Sequence, residues 1–136
     1  MSKKFTLGKH ERLKSRKQID ELFAQGNNFY QPPLKVFYLC KKAEAEGAGV
    51  KMGVAVSSKN FKRAVNRNRI KRLVREAYRL QKPEFANEVT TSGKQLAVFF
   101  VYTSKELINF AAVHETMKLI LQRLRKLIHE NHSQAS

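Results

Sequence analysis

The sequence predicts an α/β fold in which a mixed β-sheet is covered by helices. Two β-rich apolar runs, LKVFYLC (34–40) and VKMGVAVS (50–57), precede a long helical pattern, and a third apolar run, QLAVFFVY (95–102), follows it. A strand–helix–strand passage joins strands running in the same direction, so the sheet contains at least one parallel pair. The last long segment, from residue 113 to about 130, repeats Val113, Met117, Ile120, Leu121, Leu124 and Ile128 at helical spacing and supplies a second long covering helix. One domain is expected for 136 residues, with an ordered core over about 10–130.

Each element has a local reason. Residues 1–14 form a basic arm whose early apolar anchors are Phe5 and Leu7. A short helix follows: Ser15 and Gln18 make a capping-box pattern, Ile19, Leu22 and Phe23 share a face, and Gly26 closes the end. Pro32 and Pro33 forbid further helix and lead into the first strand, which is apolar on both faces. Alternation puts Phe37 and Tyr38 on opposite faces without saying which is which. The small, polar segment 41–49 reads as a loop, and Gly53 in the next strand as a bend or a close backbone approach.

The long basic helix is expected from about residue 59 to 80, ending before Pro83, with a polar connection over 84–94. The continuous apolar character of 95–102 suggests a central strand buried on both sides. Thr103 and Glu106 suggest a second capping box and a short helix over 104–110, and NHSQAS reads as a frayed end.

Charge narrows the function. Lysine and arginine number 27 against 11 acids, a formal net charge of +16. Such an excess repels itself unless a polyanion relieves it. No apolar run approaches the roughly 18 residues of a spanning helix, and the N-terminus lacks a signal peptide's apolar core, so no membrane partner is expected. Cys40 is the one cysteine; it excludes an internal disulfide, fits a cytoplasmic setting and reads as a buried structural thiol. His10, His114, His129 and His132 have no metal-ligand spacing with one another or with Cys or Asp. There is no paired-carboxylate, glycine-rich phosphate or activated-nucleophile pattern, so no catalytic residue and no protein-bound cofactor is expected.

The charge concentrates in NRNRIKRLVR (66–75). On a helix, Ile70, Leu73, Val74 and Ala77 form a core-facing stripe, while Asn68, Lys71, Arg72, Arg75 and Arg79 occupy an arc of roughly 100° on the other side, flanked by Arg67 and Arg69. A cationic face is often merely solvated. Here, however, ten lysines and arginines between residues 59 and 82 face one acid, Glu76. Arg72 has Glu76 as an i, i+4 partner, but Arg67, Lys71, Arg75 and Arg79 form a like-charged series that opposes helix formation, which favours a binding role. Arginine's planar fork suits bidentate phosphate contact. Asn68 could read a base edge or simply orient Arg72.

The run VSSKNFKRAVNRNRIKRLVREAYR (56–79) resembles the protein subunit of bacterial ribonuclease P, and RNRIKRLVRE closely matches that family's arginine-rich signature helix. The likeness extends over roughly residues 10–128: Arg12 to Lys14 with a short helix ending in Leu22, Phe23 and Gly26, then GVAVS ahead of the basic helix, and an apolar strand and closing helix after it. The resemblance implies a two-layer α/β sandwich with a mixed four-stranded sheet, like the second domain of the fifth small-subunit ribosomal protein. It also implies a left-handed crossover through the basic helix, where general rules favour the right-handed one.

The resemblance further implies that the protein assists a catalytic RNA in removing the 5′ leader of precursor tRNA, one monomeric protein per RNA, with magnesium required by the RNA. RNA contact is carried to Lys59, Arg63, Arg67, Asn68, Arg69, Lys71, Arg72, Arg75 and Arg79. Lys59 matches the first of two family lysines, whereas Asn60 replaces the second. A leader cleft is carried to Arg12, Lys14, Ile19, Phe23 and Phe37; Ile19 stands where the family often has a second aromatic ring and offers no π-face. Charge and fold alone also allow a ribosomal or assembly protein bound to structured RNA. A DNA-binding module reading through 70–79 is disfavoured, because major-groove helices usually belong to a helical pair and this one is flanked by strands.

Overall fold

A computed structural model describes residues 11–43 and 48–134, with the backbone alone for 130–134. The basic arm up to residue 10, the centre of the 41–49 loop and the last two residues lie outside the described residues. The elements are α1 (Arg16–Gln25), β1 (Asn27–Gln31), β2 (Leu34–Lys42), β3 (Gly49–Val56), α2 (Ala64–Thr91), β4 (Lys94–Tyr102) and α3 (Phe110–Gln134). The four strands form one mixed sheet in the order β1-β2-β4-β3, with β3 and β4 parallel and the other pairs antiparallel. The parallel pair is the one that α2 joins, as the strand–helix–strand passage requires.

Strand periodicity sorts the sheet into two faces. Leu34, Val36 and Tyr38 of β2, Val50, Met52, Val54 and Val56 of β3, and Leu96, Val98, Phe100 and Tyr102 of β4 are buried on one face. The helices α2 and α3 cover it with Ile70, Val74, Ala77, Tyr78, Phe85, Val89 and the expected α3 stripe, from Val113 to Ile128. The opposite face is covered by α1 at one end alone. Expectation called β4 buried on both sides; instead its burial alternates, because the second face is half open.

Four local expectations are corrected. The basic helix does not stop near Pro83 but runs on to Thr91. An internal proline costs about 3 kcal/mol, but Phe85 and Val89 continue the buried stripe beyond it, each contributing about 1.5–3 kcal/mol. Its start also moves, from residue 59 to Ala64, with Arg63 at the N-cap and Lys59 in the turn before it. The capping box at Thr103 starts no helix. Thr103 is spent on Pro33, its N–H and Oγ1 both donating to the Pro33 carbonyl at 2.9 and 3.0 Å, and α3 begins instead behind Asn109, whose Oδ1 accepts from Ala112 N–H. The helix then continues through residue 134, so the expected frayed tail is helical there.

The fourth strand that the resemblance implies had no place in the sequence reading; it is β1, where NNFYQ pairs with β2 across a turn at Pro32–Pro33, whose peptide bond is cis. Cys40 is half-buried, and burial pushes its thiol up.

Two contacts tie the segment before α1 to the rest. Leu13 N–H donates to Met52 O at 2.8 Å, extending the sheet past β3, and Glu11 meets Lys82 at 2.5 Å. Lys82 is 4% exposed, so its side of this pair is held largely out of water. Gly53 is the close approach that the sequence suggested. A Cβ there would lie 2.6 Å from the Phe99 ring. Gly53→Ala is therefore expected to cost about 1–3 kcal/mol through overpacking, read by thermal melting, and the loss should shrink in a Phe99→Ala background. Equal losses in both backgrounds would show that the ring is not the obstacle.

Candidate nucleic-acid interface

With the apolar stripe of α2 held on the sheet, the polar side chains of its first turns are left at or near the surface. Asn68, Arg69, Arg72 and Arg75 are exposed, while Lys71 and Arg79 are half-buried. Asn68, Arg72, Arg75 and Arg79 line one cationic hollow together with Glu76 and Arg12. Burial, and after it the neighbouring Arg12 guanidinium, push Arg75 below the usual arginine range. Arg12 reaches this hollow because Leu13 is bonded to Met52. It was expected in the cleft beside α1; tertiary pairing gives it to the basic helix. Lys14 remains exposed just ahead of the Ser15 cap.

Two of the arginines on α2, Arg79 and Arg67, bond to groups within the chain. Glu76 does not pair with Arg72, as the i, i+4 spacing suggested, but takes two hydrogen bonds from Arg79. These bonds hold the Glu76 carboxyl below the usual carboxylate range. Arg72 is thereby left outside that pair and exposed. Arg67 donates from Nη1 to Phe61 O at 2.7 Å and to Lys62 O at 2.9 Å, tethering the 57–63 turn to the first turn of α2. Arg63 and Lys59 are exposed at the helix entrance, and Asn60 Nδ2 donates to Thr103 O.

The second candidate surface is the uncovered part of the sheet. The register places Asn28, Phe37, Phe99 and Gly53 in one row across it, and Tyr30, Lys35, Val101 and Ala55 in the next. This settles the ambiguity in β2: Phe37 faces α1, and Tyr38 faces the core. Phe23 of α1 meets Phe37 edge-on at 4.7 Å and Phe99 at 5.4 Å between centroids, and remains 45% exposed. Ile19, one turn earlier, is half-buried. Lys35 Nζ sits 5.3 Å over the Phe37 ring. Phe23 and Phe37 therefore come together as expected, whereas Phe99, Lys35 and Tyr30 were missed. Phe99 resembles any core aromatic until the register pairs it with Phe37, and Tyr30 lies on β1, the strand that had no place in the sequence reading. Among the described residues no group of three or more His, Cys, Asp or Glu is placed to hold a metal ion, and no helix is long and apolar enough to cross a membrane.

The sequence model of the Ribonuclease P family matches residues 7–125. The chain belongs to the ribonuclease P protein family. The ribonuclease P protein component of Porphyromonas gingivalis is 42% identical over 121 residues, covering 88% of this chain and 87% of the relative. That of Chlorobium phaeobacteroides is 31% identical over 129 residues, with 88% of each chain covered. Among solved structures, the RNase P protein of Thermotoga maritima superposes with a TM-score of 0.64 at 24% identity, over 83% of this chain and 96% of that one. The Staphylococcus aureus RNase P protein also gives 0.64, at 20% identity, over 84% and 94%. The mixed four-stranded sheet with three helices is thus the ribonuclease P protein fold, and the family places the chain in a ribonucleoprotein nuclease of tRNA processing.

The two classes of arginine separate by stability. Arg67→Ala should lower it by about 1–2 kcal/mol, because two charge-assisted bonds to backbone carbonyls are lost. Arg72→Ala should stay within about 0.5 kcal/mol of the parent. Denaturant titration checks both, and equal effects would place Arg67 on the solvent-facing side.

Proposed function

We propose that this ribonuclease P protein docks the exposed face of α2 on the catalytic RNA and holds the single-stranded 5′ leader of precursor tRNA on the open face of its sheet. One observation carries the reading: α2 spends its apolar stripe on the core and leaves Asn68, Arg69, Arg72 and Arg75 exposed on the side away from the sheet. Exposed guanidinium groups recruit phosphates by charge and by forked hydrogen bonds, and they release counterions as they do so. Lys59 and Arg63 continue this surface around the helix entrance. Lys71, Arg79 and Arg12 add charge at its borders, and Arg67 acts by holding the entrance turn.

The leader surface is supported by Phe23 and Phe37, with Phe99 beneath Phe23. A ring that is nearly half exposed offers a π-face to an unpaired base, and stacking of this kind is worth roughly 1–3 kcal/mol per base. Ile19 borders the same floor as an apolar wall, and Lys14 supplies charge at the far end of α1. Divalent ions at a scissile phosphate can stabilise both the attacking and the leaving oxygen of the displacement. In this scheme magnesium is held by the RNA, and the protein positions substrate, screens charge and stabilises the active RNA conformation. One protein monomer serves one RNA.

Reconstitution with the ribonuclease P RNA of the same organism tests the scheme. Cleavage of precursor tRNA at low magnesium should require both components, and the purified chain should cleave nothing alone. Cleavage by the polypeptide without RNA would overturn the division of labour. The double substitution of Arg72 and Arg75 by Ala should weaken RNA binding and lower the slope of log K against log salt by about two, at roughly 0.9 per phosphate contact. An unchanged slope would remove these side chains from the interface.

A further inference from the structure

Beyond Phe23 and Phe37, the open sheet face continues into a second row whose members are chemically different. Tyr30 is opposite Lys35 in the β1–β2 register, and Lys35 is opposite Val101 in the β2–β4 register, so all three project from the same face. The row lies two residues further along the strands, a displacement of roughly 6.7 Å. Here α1 no longer covers the sheet, and Tyr30 is 55% exposed.

The tyrosine is nevertheless held. Its hydroxyl lies 3.3 Å from Thr103 Oγ1, and Thr103 follows β4, on the far side of β2 from β1. The Tyr30 side chain therefore reaches across the start of β2 towards Thr103. From the opposite face Arg123 of α3 donates to Tyr30 O at 3.3 Å and places its guanidinium 4.1 Å over the Phe29 ring, fixing the edge strand beneath. An aromatic ring anchored at its backbone and at its hydroxyl loses little conformational freedom when a base settles on it, and Lys35, opposite it in the register, carries its ammonium group between the two rows, 5.3 Å from the Phe37 ring.

We propose that Tyr30 and Lys35 form a second nucleotide seat: the Tyr30 ring stacks on one unpaired base and Lys35 neutralises an adjoining phosphate. The ligand is single-stranded RNA, and the proposal rests on the leader reading given above. It adds to that reading a second base position, one row beyond the Phe23–Phe37 seat and towards the 57–63 turn, which Asn60 ties to Thr103.

The test uses the reconstituted protein–RNA enzyme and precursor tRNAs carrying the fluorescent base 2-aminopurine singly at successive leader positions. Stacking quenches the fluorophore. Two leader positions should be quenched by the parent enzyme. Tyr30→Leu, which keeps apolar bulk, should restore fluorescence at one of them, and Phe23→Leu at the other. Tyr30→Leu should also weaken binding of a long-leader precursor about tenfold while leaving mature tRNA unaffected, and Tyr30→Phe should keep most of the affinity. Lys35→Gln should lower the salt slope for the long leader by about 0.7.

If Tyr30→Leu changes no position while Phe23→Leu still does, the second seat is wrong and the leader reading stands. If the parent enzyme quenches no position and binds mature and precursor tRNA equally, the leader reading fails and the seat fails with it. Equal weakening of mature and precursor tRNA by Tyr30→Leu would show a general structural role and overturn the seat.

Discussion

Everything the surface of this protein offers depends on how firmly one side of α2 is held. Ile70, Val74, Ala77, Tyr78, Phe85 and Val89 are buried against the sheet and α3, which sets the rotation of the helix about its axis. Once that rotation is set, cations that would repel one another along an isolated helix have one direction in which to point. Helical stability here comes from packing, as is usual for helices in proteins, and this packing offsets the repulsion of a like-charged face. The same anchoring explains why the helix can run through Pro83 to Thr91: core contacts on both sides of the proline outweigh the bond it removes.

The second surface exists because α1 is short. Ten residues cover one end of the sheet's outer face and stop at Gly26, where a Cβ would lie 2.4 Å from Leu22 O. The rows of residues past Phe23 are left open. This half-apolar sheet face, bordered by Lys35 and by the basic turn at 57–63, is the surface on which the proposed leader seat rests. Gly53 contributes as well, because the missing side chain leaves room for the Phe99 ring against β3.

Local patterns were readable where one interaction dominates. The Ser15 cap, the α3 stripe and the two-faced character of α2 each follow from spacing alone, and each is present in the structure. They fail where a distant partner competes. Thr103 has the sequence of a helix cap, yet its hydroxyl and N–H go to the Pro33 carbonyl. Glu76 has two arginines at helical spacing and takes Arg79. NNFYQ has too few apolar residues to announce a strand, and it becomes one because β2 offers an unpaired edge.

The sequence alone determined the class of fold, the apolar stripe of each long helix and the cationic character of the face opposite it, because helical periodicity and charge count are local quantities. It also carried the family signature. Tertiary structure decided which cations are exposed and which are tied internally, that Arg12 joins the basic helix, and that Phe23, Phe37, Phe99, Lys35 and Tyr30 share one floor. The shared floor of Phe37, Phe99, Lys35 and Tyr30 is a matter of register between strands, and a one-residue slip of a strand would turn its side chains to the other face. The rest depends on how helices and the segment before α1 pack on that sheet.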